Sequence, residues 1–156
     1  MEFSIRLVKK EEISAVVSIY AEAFNKAGIG EEWTQRKAEE FMNWWFEHQP
    51  DLFFVTIYKE QLVGGIVAGI KPWWDGKHLV DGELFVHPDF QRQGIGKGLV
   101  RTLLKEAIRK YEIVEFEGLV DKGHEFPLSW YREIGMKETS LVHIAGNPKE
   151  ILKKLS

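Results

Sequence analysis

The residues best suited to bind a charged ligand form a glycine-rich turn, Gln91-Arg92-Gln93-Gly94-Ile95-Gly96-Lys97-Gly98, directly before a long amphipathic segment. Gly94 and Gly96 remove side chains where the backbone enters the predicted helix. The first N–H groups of a helix lack intrahelical partners and lie at the positive end of its dipole. Arg92 and Lys97 add positive charge nearby. The turn therefore predicts a cradle for a pyrophosphate group.

Two other phosphate-binding loops fit this turn poorly. A Walker A loop requires Gly-Lys-Ser/Thr, whereas Gly96-Lys97 is followed here by Gly98. A dinucleotide fingerprint requires a third glycine at the position of Leu99 and begins directly after a strand. The remaining alternative from the turn alone is a glycine-rich helix start that binds no ligand.

Length and composition restrict the class of protein. With 156 residues, the chain is predicted to form a single domain over residues 1–156. A net charge of −3 argues against nucleic acid as a partner. The chain has no cysteine, which excludes disulfides, thiolate metal sites and an acyl-cysteine intermediate. No segment has the length of a membrane span and the N-terminus lacks a signal-peptide pattern, so we expect a cytoplasmic protein without a membrane partner.

The hydrophobic periodicity predicts an α/β fold with the element order β-α-α-β-β-β-α-β-α-β. The predicted strands cover residues 3–8, 52–58, 62–70, 78–86, 114–120 and 136–144. The predicted helices cover residues 11–27, 35–48 after an N-cap at Thr34, 94–111, 127–135 and the tail 148–155. Residues 71–77, which include Pro72 and Gly76, are predicted to form a loop.

Two segments carry a resemblance to a known family. The segment Glu83 to Leu99 closely resembles the acetyl-CoA signature of the GNAT N-acetyltransferases, Q/R-x-x-G-x-G/A after a strand that ends V-x-P. The segment Trp130 to Met136 resembles the family's F-Y-x-x-x-G-F pattern at a typical spacing. The resemblance implies the GNAT fold, with a mixed central sheet split between the fourth and fifth strands. It also implies acetyl-CoA as the co-substrate, without a metal.

The resemblance assigns cofactor-binding residues to two segments and one loop position. In the family, pantetheine inserts between the parted strands and bonds the backbone of the fourth strand, which implies Leu84, Phe85 and Val86 here. The pyrophosphate would be held by the glycine-rich turn: Gln91, Arg92, Gln93, Gly94, Ile95, Gly96, Lys97 and Gly98. His124 stands where many members have a cofactor-binding asparagine; we assign it to the cofactor site as a substitute donor, and the alternative is an exposed loop residue.

The catalytic residues are also implied by the resemblance. Tyr131 matches the tyrosine proposed to protonate the departing CoA thiolate. The acceptor amine must lose a proton, and the usual base is a carboxylate or histidine on the fourth strand. Asp81, Glu83 and His87 are predicted to share one face of that strand by two-residue alternation. We select Glu83 as the base and Asp81 as the next candidate. Some relatives carry the carboxylate at the position of Gly82, and a bulge would change which residues face the site.

Other polar and aromatic residues leave several interpretations open. A metal site formed by His78, Asp81, Glu83 and His87 is not expected, because no compact ligand motif is present. Trp73 and Trp74 either form part of an acceptor pocket or are ordinary loop residues. Four acidic residues would attract an amine or form solvated surface: Glu31, Glu32, Glu39 and Glu40.

The function implied by the resemblance is transfer of an acetyl group from acetyl-CoA to a primary amine. The absence of cysteine favours direct attack in a ternary complex. The acceptor is expected to be a small-molecule or peptide amine. One alternative is a non-catalytic acyl-CoA sensor or regulatory module of GNAT fold, and another is transfer of a larger acyl group. Dimers are common in the family, and a homodimer is therefore among the expected assemblies.

Overall fold

The computed structural model describes residues 2–155. Residues through Leu119 form one compact unit, and residues from Val120 onward form a second. The strands are β1 (Ser4–Leu7), β2 (Phe53–Tyr58), β3 (Gln61–Trp73), β4 (Gly76–Val86) and β5 (Glu115–Phe116). The helices are α1 (Ile13–Ala27), α2 (Gln35–His48), α3 (Ile95–Tyr111), α4 (Glu125–Glu133) and α5 (Pro148–Leu155).

The strands form one mixed sheet in the order β1-β2-β3-β4-β5. Neighbours from β1 to β4 are antiparallel, whereas β5 is parallel to β4. β5 pairs with β4 only at His78 and Leu79, opposite Glu115 and Phe116. Among the described residues, no strand pairs with the remainder of β4 on this side. The mixed sheet that parts between the fourth and fifth strands is therefore confirmed.

Helices cover both faces of the sheet. The ring of Phe85 on β4 packs against Tyr20 of α1. The neighbouring residue Leu84 reaches towards Gly96 of α3. Because adjacent strand residues point to opposite faces, α1 and α3 lie on opposite faces of β4. The α1–α2 face buries Met42 and Trp45 in the main hydrophobic core.

The predicted helices are confirmed in position, with ends shifted by one or two residues. The Thr34 hydroxyl accepts a hydrogen bond from the backbone N–H of Lys37, at 3.3 Å, and so caps α2 as expected. α3 follows Gly94, whose φ of 86° is in the left-handed region that favours glycine. The tail helix α5 begins at Pro148.

Three predicted elements are wrong. The predicted loop over residues 71–77 is largely strand, because the β3–β4 ladder continues to the pair Trp73–Gly76. The predicted strand over residues 114–120 is reduced to Glu115–Phe116. The predicted final strand over residues 136–144 is irregular, and Leu141 and Val142 are both 81% exposed. A strand requires a ladder partner, and none pairs with this segment among the described residues.

Candidate active site

The turn before α3 has the backbone geometry expected of an anion cradle. Arg92 and Gly94 adopt left-handed φ angles of 60° and 86°. The N–H of Gly98 donates to the carbonyl of Gly94 at 3.0 Å and closes the first turn of α3. The N–H groups of Ile95, Gly96 and Lys97 precede that bond, so they have no intrahelical acceptor. A negatively charged group is therefore favoured at this helix end.

The side chains of the turn divide into anchors and exposed cations. The Gln91 side-chain amide donates to the Val86 carbonyl at 3.0 Å, and that of Gln93 donates to the Asp89 carbonyl at 3.2 Å. Ile95 is 1% exposed and anchors the start of α3 in the core. Arg92 and Lys97 are exposed. The anchors fix the turn at the end of β4, and the two cations remain accessible to an anion.

Gly96 and Gly98 have different local surroundings. A Cβ at Gly96 would meet only the Cδ2 of Leu84, at 3.8 Å, which is ordinary van der Waals contact. A Cβ at Gly98 would lie 3.1 Å from both Ile5 and Phe3. Gly98 therefore allows α3 to pack closely on the N-terminal segment, whereas Gly96 has space around it. The sequence pattern alone did not separate these two roles.

The C-terminal half of β4 has one unpaired side. β5 pairs only as far as Leu79, so the backbone of Leu84, Phe85 and Val86 has no partner strand on the β5 side among the described residues. The Phe85 side chain is 2% exposed and belongs to the core. Any ligand contact at this position would therefore be made by the backbone. Unpaired backbone amides and carbonyls of this kind fit the amide groups of pantetheine.

A bulge in β4 changes which residues share a face. Val80 lies opposite Gly69 and Glu83 lies opposite Val67, so Asp81 and Gly82 together face one residue of β3. Asp81 has a φ of 56° and is exposed. The prediction that Asp81 and Glu83 share a face by simple alternation is therefore wrong, because the extra residue breaks the two-residue period.

Glu83 is a carboxyl of the site whose proton affinity is strongly altered. Its Oε2 accepts a hydrogen bond from the Tyr20 hydroxyl at 3.0 Å. The pKa of the Glu83 carboxyl is raised to about 7, with burial as the largest cause and the nearby carboxylates of Glu31 and Asp81 acting in the same direction. The Tyr20 hydrogen bond acts in the opposite direction. A carboxylate with this pKa is suited to accept a proton near neutral pH.

The histidines around β4 have local partners. His87 lies just beyond β4, with its Nε2 3.4 Å from a Glu22 oxygen, and its Nδ1 accepts from the Asp89 N–H at 3.2 Å. His78 is 5% exposed, and its ring nitrogens face the carboxylates of Asp75 and Glu117. The hydrogen bond with Glu117 is the main cause that raises the pKa of His78. His78 therefore links Asp75, in the turn between β3 and β4, to Glu117, which follows β5.

Within residues 2–155, no group of three or more histidine and acidic side chains is arranged to hold a metal ion. In the same range, no helix is both long enough and apolar enough to span a bilayer.

Tyr131 and His124 lie in the second unit. Tyr131 is half-buried on α4, its ring centroid lies 5.0 Å from that of Trp130, and its carbonyl accepts from the Met136 N–H at 3.0 Å. His124 precedes α4, and its Nδ1 contacts the carboxylate of Asp121. Because a carboxylate can only accept, Nδ1 carries the proton, so Nε2 of the neutral ring is an acceptor and donates only when the ring is protonated.

The tryptophans on α2 and at the β3–β4 turn differ widely in exposure. Trp45 is 4% exposed in the core, whereas Trp73 and Trp74, at the tip of the β3–β4 hairpin, are 52% and 87% exposed. Trp44 stacks on His48, with 4.3 Å between ring centroids. A shallow depression of about 250 Å³ lies instead between α1 and α2, lined by Asn25, Glu31, Glu32, Trp33 and Thr34.

Tyr20 is the site residue that sequence reasoning missed. Its position in the apolar stripe of α1 identified it only as a core residue. A buried tyrosine hydroxyl requires a hydrogen-bond partner, however, and this was the available signal. The pattern could not indicate that the partner is Glu83, because the two residues are 63 positions apart.

The mixed sheet, the parted β4 edge and the glycine turn before α3 are the arrangement of an acetyltransferase. The chain belongs to the acetyltransferase (GNAT) family, whose model matches residues 13–136. The family acts on amine acceptors that are small molecules or peptides.

Curated relatives and solved structures agree with this family. The chain is 28% identical over 108 residues to an acetyltransferase of Pectobacterium atrosepticum, covering 68% of each chain. It is 29% identical to the L-amino acid N-acyltransferase MnaT of Escherichia coli, covering 67% of this chain and 62% of that protein. A Clostridium acetobutylicum structure described as a predicted acetyltransferase with acetyl-CoA superposes with a TM-score of 0.74 at 17% identity, covering 96% of this chain and 98% of that one.

Proposed function

We propose that the protein transfers the acetyl group of acetyl-CoA to a primary amine by direct attack in a ternary complex. The observation that carries the proposal is Glu83, a carboxyl whose pKa is raised to about 7. It lies on the part of β4 that has no partner strand on the β5 side. Membership of the family and the acetyl-CoA held by a structural neighbour support the choice of donor.

Acetyl-CoA fits the residues of the first unit at two points. The free N–H groups at the start of α3, with Arg92 and Lys97, would hold the pyrophosphate. The unpaired backbone at Leu84, Phe85 and Val86 would bond the pantetheine amides. Bound there, acetyl-CoA supplies an acetyl group activated as a thioester.

Glu83 would act as the general base. The ionised carboxylate takes a proton from the acceptor nitrogen, which then forms a C–N bond to the acetyl carbon as the C–S bond breaks. The departing sulfur receives a proton from the Tyr131 hydroxyl, a role proposed from the matching motif. His124 would add a hydrogen bond to the bound cofactor. The products are an amide and free CoA.

The test of this function is release of free CoA from acetyl-CoA in the presence of a panel of amines. The panel contains polyamines, aminoglycosides, amino acids and peptides with free N-termini or lysines. Mass spectrometry of the product should show a gain of one acetyl group on nitrogen. Tight acetyl-CoA binding without turnover on any amine would instead indicate a sensor or regulatory module.

Acetyl-CoA is expected to stabilise the folded protein. A ligand that binds only the native state at about 100 times its Kd raises the free energy of unfolding by about 2.7 kcal/mol. The measurement is a thermal-shift titration with acetyl-CoA, with adenosine as the control ligand that lacks the pyrophosphate and pantetheine. An unchanged Tm at millimolar acetyl-CoA would contradict the donor assignment.

Gly96→Asp is expected to abolish CoA binding while the protein stays folded. The new carboxylate would add bulk and like charge where the pyrophosphate is proposed to lie. The fold should tolerate it, because a Cβ at this position meets only Leu84 at 3.8 Å and an acidic residue suits the first turn of a helix. Calorimetry with CoA makes the measurement. Gly96→Ala, which adds the Cβ without the charge, is the matched control, and normal affinity in Gly96→Asp would locate the cradle elsewhere.

A further inference from the structure

A buried hydrogen bond connects the first helix to the proposed catalytic strand. Tyr20 lies in the middle of α1 and is 1% exposed. Its hydroxyl donates to Oε2 of Glu83 at 3.0 Å. The hydroxyl at the tip of a core tyrosine therefore reaches the carboxylate that we propose as the general base.

The ring of Tyr20 is fixed by aromatic packing. Its centroid lies 4.5 Å from that of Phe24, 5.1 Å from Trp33, 5.4 Å from Phe85 and 5.8 Å from Phe41. These contacts come from α1, the loop after it, α2 and β4. A ring held from several elements has little freedom to rotate, so the position of the hydroxyl is set by the core.

The two oxygens of Glu83 have different environments. Oε2 accepts from Tyr20, whereas no hydrogen bond within residues 2–119 involves Oε1. The charged groups facing this carboxyl are Glu31, from the loop between α1 and α2, and Asp81, from the bulge in β4. Both disfavour the ionised form, and Tyr20 is the neighbour that favours it by hydrogen bonding.

We propose that Tyr20 is a positioning residue for Glu83. The Tyr20 hydroxyl holds Oε2 of Glu83 in place and leaves Oε1 of the same carboxylate to accept the proton of the acceptor amine. This inference rests on the proposed function. The proton moves from the amine nitrogen to Oε1, and Tyr20 keeps its own proton. Burial and the adjacent Glu83 raise the pKa of Tyr20, so the hydroxyl remains a neutral donor throughout.

The test compares the pH dependence of kcat/KM in the wild type and in Tyr20→Phe, which retains the packed ring. In the wild type, kcat/KM should rise with pH as Glu83 ionises, and this rise is the acid limb of the profile. Loss of a hydrogen bond that favours the carboxylate should move the acid limb to higher pH by about one to two pH units. At pH 6.5, kcat/KM should therefore fall about 10- to 100-fold, with much of the loss recovered at high pH. An unchanged acid limb in the folded variant would overturn the inference.

A second measurement needs no activity. The side-chain carboxyl carbon of Glu83 can be titrated by carbon-13 NMR, with its signal assigned from Glu83→Gln. Its pKa should be higher in Tyr20→Phe than in the wild type. Tyr111→Phe is the matched control, because the Tyr111 hydroxyl donates to Asp51 at 2.7 Å near the other end of α3. This control should leave both the limb and the Glu83 titration unchanged.

Two further variants separate the possible failures. In a Glu83→Gln background, Tyr20→Phe should add no further loss of kcat, and an additive loss would overturn the inference. Phe24→Leu keeps the Tyr20 hydroxyl but loosens the packing around the Tyr20 ring. It should shift the acid limb to higher pH, by a smaller amount than Tyr20→Phe does. A wild type that acetylates no amine would contradict the proposed function, whereas the NMR titration would still decide the coupling between Tyr20 and Glu83.

Discussion

Glu83→Gln is expected to lower kcat by about 10²–10⁴-fold, the usual contribution of a general base. Glutamine keeps the size of the side chain and still offers an oxygen to the Tyr20 hydroxyl, but it cannot take a proton from the acceptor amine. The fold and the affinity for CoA should therefore change little. Steady-state kinetics on one identified acceptor, with CoA affinity measured separately by calorimetry, make the measurement.

The pH profile gives this prediction its second readout. Glu83 acts as a base only when ionised, and its pKa is raised to about 7. The wild-type kcat/KM should therefore rise with pH through an apparent pKa near 7 and level off above it, and this limb should be missing in Glu83→Gln. Glu47→Gln, an exposed change of the same type on α2, is the control. A full wild-type rate in Glu83→Gln would remove this residue from the mechanism.

Tyr131→Phe is expected to lower kcat by about 10²–10⁴-fold with little change in KM, because the proton is needed only as the thiolate leaves. The variant loses one hydroxyl and keeps the ring that packs against Trp130. Kinetics of both proteins on the same acceptor, with CoA affinity from calorimetry, provide the test. Tyr111→Phe serves again as the control for a lost tyrosine hydroxyl.

Two other outcomes would change the role of Tyr131. If the hydroxyl only bonds the bound cofactor, CoA affinity and turnover should weaken together in Tyr131→Phe. If kcat is unchanged in the folded variant, Tyr131 has no part in the chemistry. Neither result would affect the family assignment, which rests on the match over residues 13–136.

The sequence predicted the elements whose signals are local. The helical spacing of apolar residues located α1 and α2, and the Thr34 cap marked where α2 begins. The glycine turn before α3 could also be predicted from the sequence, because the left-handed conformation of Gly94 depends only on a few neighbouring residues.

Features that depend on partners distant in the chain were predicted less well. Pro72 and Gly76 suggested a loop, but pairing with β4 extends β3 to Trp73. The bulge at Asp81 and Gly82 puts Asp81 and Glu83 on different faces of β4, although the choice of a base assumed a shared face. An Asp-Gly pair is a known sequence signal for such irregularities. The alternation over residues 136–144 resembled a strand, yet a ladder needs a partner that local pattern does not reveal.

The parted edge of β4 also has a consequence for solubility. A row of unpaired backbone groups can pair with another chain, and proteins counter this with bulges and with inward-pointing charges on the exposed strand. β4 carries both devices at adjacent positions, the bulge at Asp81 and Gly82 and the carboxylate of Glu83. Glu83, the proposed base, and the bulge beside it are thus also devices of the kind that keep a strand edge from pairing with another chain. Bound CoA would cover the same edge, so the empty protein should be the form most prone to self-association at high concentration.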